Sequence, residues 1–111
     1  MSNIDLSYLK SVTDGDTELM KELVDIFKTQ VPEYVQEFKE ALAENNFDAL
    51  SKIAHKSKSS IAIMGLSDLA STLGQFEIEA KDGTASDKYE SYIADFEKEC
   101  YEALEQIETM I

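Results

Sequence analysis

The amino-acid sequence predicts an all-α protein: an antiparallel four-helix bundle with a short additional helix at its N-terminus. Three observations carry that prediction. Apolar residues recur at helical spacing in nearly every segment. Helix breakers are scarce, with four glycines and one proline in 111 residues. No stretch alternates with period two for long enough to form a strand. The length suits one domain with a single core, residues 1–111. Four long amphipathic segments joined by short loops then make antiparallel neighbours.

The elements follow in order. Ile4, Leu6, Leu9 and Val12 give a short leading helix, closed by the turn signal Asp14-Gly15. Asp16 is placed to cap a second helix, with Glu18 and Glu22 in or near its first turn. Its apolar stripe reads Leu19, Leu23, Ile26, Phe27, Val31, Tyr34, Val35, Phe38 and Leu42. Pro32 lies within that stripe, and because the phase continues across it, a kinked but nearly continuous helix is expected. Asn45-Asn46 interrupts the pattern and caps a third helix carrying Phe47, Leu50, Ala54, Ile61 and Met64, which ends at Gly65. Ser67 is placed to cap a fourth, with Leu69, Leu73 and Phe76 inward and a stop at Asp82-Gly83. A fifth begins near Ser86 and has the cleanest repeat: Tyr89, Ile93, Phe96, Cys100, Ala103, Leu104 and Ile107.

Charge narrows the function. The chain carries 23 acidic residues against 10 lysines and no arginine, a formal net charge of −13. Nucleic acid and anionic membranes would be repelled over a Debye length, and the residue best suited to bidentate phosphate or base-edge recognition is missing. The lone Cys100 excludes an internal disulfide, and its inward position marks it as a core residue. No apolar run approaches the roughly 20 residues that span a bilayer, and the N-terminus lacks a signal-peptide pattern. A protein of the cytoplasm is expected. It is either free-standing, as a start at Met1 without a linker remnant favours, or a piece of a larger chain. A monomer is expected.

Against this background one segment stands out. From Ala49 to Ser67 there is no acidic residue, and the window contains the only histidine, His55, with Lys52, Lys56 and Lys58. With Leu50 set to zero on a helical wheel, the buried face of the third helix lies within about 60° of it and His55 at about 140°. A core histidine would sit on the stripe, so this one is expected in solvent. Its neighbours at i−4, i+3, i+4 and i+7 are Ser51, Lys58, Ser59 and Ala62, three small residues and one cation. A neutral imidazole is a good nucleophile near neutral pH. A phosphoryl group brings close to two negative charges, which carboxylates would repel and a lysine can pair. The window therefore reads as cleared for an incoming phosphoryl group. Nothing supports a hydrolytic triad, because no second histidine exists to activate a serine. A carboxylate-bridged metal site would need inward Glu-x-x-His positions, which one outward histidine does not supply, so no metal site is expected.

The stretch "IAHKSKSSIAIMGLSDLASTLGQFE" resembles the signature of histidine-containing phosphotransfer (HPt) domains, broadly A-H-x-x-K-G-S-[SA]-x-x-x-G-x-x-x-L with a Leu-Glu pair further on. Ala54, His55, Lys58, Ser60, Gly65 and Leu69 match in order without gaps, and Phe76-Glu77 takes the Leu-Glu place. The approach from Ile4 to His55 is similar as well. The resemblance implies a four-helix bundle that takes a phosphoryl group on histidine from an aspartate of one receiver domain and passes it to another. His55 is then the phospho-acceptor and Lys58 the residue supporting the phosphoryl group. The implied partners are response-regulator receiver domains and a hybrid sensor histidine kinase. No cofactor is expected on this chain, a divalent metal being expected on the partner receiver. Ser59 departs from the family, which usually has glycine there, so that approach to the ring is slightly narrowed and a hydroxyl is added. The partner is expected to dock over Ser51, Ser59 and Ala62, with Ile63 exposed at the margin. The alternative is a bundle that binds receiver domains without transferring phosphate, a docking or regulatory module. The intact His55 and Lys58 pair favours transfer.

Overall fold

The computed structural model describes residues 7–110. It is all-helical, and among the described residues there is no strand. Five helices run α1 Ser7–Thr13, α2 Thr17–Ala43, α3 Phe47–Ile63, α4 Ser67–Asp82 and α5 Tyr89–Met110, and a single 3-10 turn, Ser86–Lys88, leads into the last. Ile4 and Leu6 of the expected first helix lie outside the described residues.

The breaks fall where the turn chemistry places them. Asp14 and Gly15 adopt φ of 53° and 76°, values that Asp and Gly tolerate far better than branched residues. Asp16 then caps α2, its carboxylate accepting from the backbone of Glu18 and Leu19 at 3.0 and 3.2 Å. Asn45 takes φ 52° and Asn46 caps α3 by accepting from the backbone of Ala49 at 3.1 Å. Gly65 and Gly83 close α3 and α4 in the left-handed region. Ser67 is not a cap. The N-cap of α4 is Leu66, no side chain caps it, and Ser67 is already the first helical residue. Helix α2 runs unbroken through Pro32. The proline is on the solvent side, where the carbonyl deprived of its amide partner can bond to water.

The buried face of α2 differs from the expected stripe. It consists of Met20, Val24, Phe27, Val31, Tyr34, Val35, Phe38 and Ala41, while Leu19 and Ile26 are 39% and 47% exposed. The N-terminal half of α2 carries two adjacent apolar stripes, 19-23-26 and 20-24-27. Only the second keeps the alternating four-three spacing through Val31, Tyr34, Phe38 and Ala41 that faces a partner helix. That continuation, not local hydrophobicity, selects the buried stripe.

Helix α3 packs most extensively on α4, and α2 on both α5 and α3. The centre is aromatic. Phe38 of α2 stacks on Phe76 of α4 at 5.5 Å and meets the edge of Phe96 of α5 at 5.2 Å. Cys100 is fully buried, and burial pushes its thiol up to about 12, so it is a core residue and not a nucleophile. Farther along α4, Tyr92 of α5 donates its hydroxyl to Glu79 Oε1 at 2.8 Å, and Tyr89 donates to the Glu79 backbone oxygen at 2.8 Å. Burial and the bond to Glu79 push the Tyr92 pKa to about 12, so it stays a donor. These bonds fix the turn of α4 that also bears Glu77. Among the described residues no helix is long and apolar enough to cross a membrane.

Candidate functional site

On α3 the buried positions Leu50, Ile53, Ala54, Ser57 and Ile61 face the core, which leaves His55 outward with 69% of its side chain exposed. The wheel placed it there. What the linear sequence does not show is the neighbour across the helix pair. Glu77 of α4 reaches back so that its Oε2 lies 3.0 Å from Nδ1 of His55, and its Oε1 lies 3.7 Å from Nζ of Lys58. The window free of acids along α3 is therefore not free of them in space. Glu77 thus offers Nδ1 an acceptor, the partner that favours a hydrogen on that nitrogen. With the hydrogen on Nδ1, a neutral ring keeps its lone pair on Nε2, and the side chain as a whole is 69% exposed.

One further contact holds Glu77 in place, and a second brings Lys58 against α4. Ser51 donates its hydroxyl to the Glu77 backbone oxygen at 2.9 Å, tying α3 to α4 one turn before His55. The stem of Lys58 lies along α4, its Cδ 3.8 Å from where a Cβ on Gly74 would stand. On the opposite flank of α3, Lys56 pairs with Glu37 of α2 at 3.2 Å and Ser60 donates to Gln30 of α2 at 3.2 Å. His55 stands on the ridge between. Beside it is an open depression of about 350 Å³ lined by Asp48, Ser51, Lys52, His55, Glu77 and Lys81. Two lysines and two carboxylates line this hollow, and Lys52 pairs with Asp48 at 3.0 Å.

The arrangement can do one thing well: present a fixed, uncrowded imidazole nitrogen to an anionic group, with cations near. Among the described residues no three metal-ligating side chains converge. The family model of the Hpt domain matches residues 22–111. The chain belongs to the Hpt domain family. No curated protein and no solved structure matches it. Hpt domains are phosphocarrier modules, and membership gives this one a general role in histidine phosphotransfer within two-component phosphorelays.

The positions singled out from the Hpt-like sequence do not all lie where expected. Ser59 and Ala62 are exposed. Ser51 is not on the surface: it is 7% exposed, because its hydroxyl turns in to bond α4 instead of facing a partner. Ile63 is half-buried and packed against the core, since the short link to α4 brings the end of α3 down onto its neighbour. Glu77 is a site residue that the sequence pattern does not single out, although it lies within the motif of the family. The available signal was its place one step off the inward stripe of α4, beside Phe76, at the helix edge that faces α3.

Proposed function

We propose that this Hpt domain relays phosphoryl groups between receiver-domain aspartates, with His55 as the phospho-acceptor and Nε2 as the reacting atom. The observation that supports this most is the 3.0 Å approach of Nδ1 to Glu77 on a ring whose side chain is 69% exposed, an arrangement that suits a hydrogen on Nδ1 and a reactive lone pair on Nε2. The Nε2 lone pair attacks phosphorus of an aspartyl phosphate, the phosphorus–oxygen bond to the aspartate breaks, and the carboxylate leaves. The ring then carries both the phosphoryl group on Nε2 and the hydrogen on Nδ1, and is cationic. Glu77 stabilises that charge without giving up or taking a proton, the role an orienting carboxylate plays behind a reactive histidine. The second transfer is the same exchange in reverse, to a different aspartate.

Lys58 supports the phosphoryl group. Its 3.7 Å contact with Glu77 is loose, so the ammonium is free to turn toward the incoming oxygens. The partners are receiver domains and a hybrid sensor kinase, and the divalent metal that assists at the aspartate belongs to the receiver. Docking falls on the exposed ridge at Ser59 and Ala62, with the half-buried Ile63 at its edge. We place these residues on one domain of 111 residues, a monomeric antiparallel four-helix bundle with α1 accessory to it. The pairings Lys39–Glu97 and Lys28–Glu108, which run in opposite senses along α2 and α5, support the antiparallel packing of those two helices, and the Ser51–Glu77 bond joins α3 to α4.

The test is incubation with a phosphorylated receiver domain. Label is expected to move to the wild-type chain, to be acid-labile and base-stable, and to be absent from His55→Gln. Tight binding of the receiver with no transfer of label would favour the docking-module alternative instead.

A further inference from the structure

Where Nε2 points decides what meets the phosphoryl group, and the contacts of α3 give its direction. With His55 at zero on the wheel, Ser51 and Lys58 stand at about −40° and −60°, and Ser59, Lys56 and Ser60 at about +40°, +100° and +140°. The negative side is the α4 flank, since Ser51 and Lys58 both reach Glu77. The positive side is the α2 flank, since Lys56 reaches Glu37 and Ser60 reaches Gln30. Nδ1 is drawn to the α4 flank by Glu77, so the opposite nitrogen of the ring is directed outward and away from it, toward the side on which Ser59 stands. Ser59 is exposed, and unlike Ser51, Ser57 and Ser60 of the same helix, whose hydroxyls bond to Glu77, Ala54 and Gln30, its hydroxyl has no protein partner among the described residues.

We propose that Ser59 is a phosphoryl-positioning residue of this chain, its hydroxyl donating to an oxygen of the phosphoryl group carried on Nε2 of His55. The inference rests on the relay reading above and adds to it a retaining contact where a glycine would leave none. Residues four apart on a helix are surface neighbours, and a hydroxyl bound to a phosphate dianion makes a charge-assisted bond. Loss of the phosphoryl group proceeds through a loose transition state in which the departing group carries less negative charge on its oxygens. A donor to those oxygens therefore holds the phosphorylated state more strongly than the transition state. Ser59 prolongs storage at some cost in speed of release.

The experiment uses phosphoramidate, a small phosphoryl donor that needs no protein partner, and follows phosphohistidine by phosphorus NMR in the full chain. His55→Gln serves as the control and circular dichroism confirms folding. Ser59→Ala and Ser59→Gly are expected to shorten the lifetime of the label roughly three- to tenfold, the scale of one hydrogen bond. Ser59→Thr, which restores the hydroxyl, is expected to keep the wild-type lifetime. Lifetimes in Ser59→Ala equal to wild type, or Ser59→Thr behaving as Ser59→Ala, would overturn the role of Ser59 and leave the relay reading intact. If the wild-type chain takes up no phosphate on His55, both fall together.

Discussion

Glu77→Ala is expected to slow phosphoryl transfer to and from His55 by roughly 10- to 100-fold, the usual scale for removing the group that orients a functional imidazole. The residue acts in two ways that the variant separates from the fold. In the relay we propose, its 3.0 Å contact with Nδ1 orients the ring and leaves Nε2 to react, and its charge offsets the cationic ring formed on phosphorylation. The bond that ties α3 to α4 at this level uses the Glu77 backbone oxygen, which alanine retains, and alanine is the better helix former. Stability should therefore change by less than about 0.5 kcal/mol. Glu77→Gln keeps an acceptor for Nδ1 but not the charge, and should fall between the two. Rapid-quench transfer from a phosphorylated receiver reads this directly. An alanine variant that transfers at the wild-type rate would remove Glu77 from the mechanism.

Phe38→Ala is expected to cost about 3–5 kcal/mol of folding stability, the range for truncating a fully buried phenylalanine. Phe38 has no exposed surface and brings α2 into ring contact with both Phe76 of α4 and Phe96 of α5. A cavity there leaves the Phe76 ring of α4 and the Phe96 ring of α5 without the partner they share. Because Phe76 precedes Glu77 in the chain, loosening it should also broaden the position of the carboxylate behind His55, so transfer should weaken in the molecules that remain folded. Urea unfolding at unchanged slope gives the first quantity. A loss below about 1 kcal/mol would mean the site relaxes and the three-ring centre is not what holds the bundle.

Much of this was legible in the sequence, for reasons that can be named. The breaks at Asp14-Gly15, Asn45-Asn46, Gly65 and Asp82-Gly83 are local chemistry, and at each a left-handed residue or a capping side chain does what its type suggests. The outward direction of His55 followed from helical period alone, as did burial of Cys100. Three features were not legible. The phase of the N-terminal half of α2 depends on the partner helices, since local periodicity favours the stripe of Leu19 and Ile26 as strongly as the one that is buried. Ser51 falls on the solvent side of an isolated wheel, but α4 covers that edge. Glu77 is separated from His55 by the turn between two helices, and no periodicity within either helix reports a contact between them. Local order is written locally, whereas the group behind the nucleophile depends on tertiary packing.

The central claim is that a phosphoryl group is carried on Nε2 of His55 while Nδ1 stays bound to Glu77. The measurement that meets it most directly is nitrogen–phosphorus correlation NMR on the phosphorylated chain with its one histidine labelled with ¹⁵N. Phosphorus coupled to Nε2 of His55 is expected, with a hydrogen retained on Nδ1 and its resonance displaced in Glu77→Gln. Phosphorus coupled to Nδ1, or found on any residue other than His55, would contradict it.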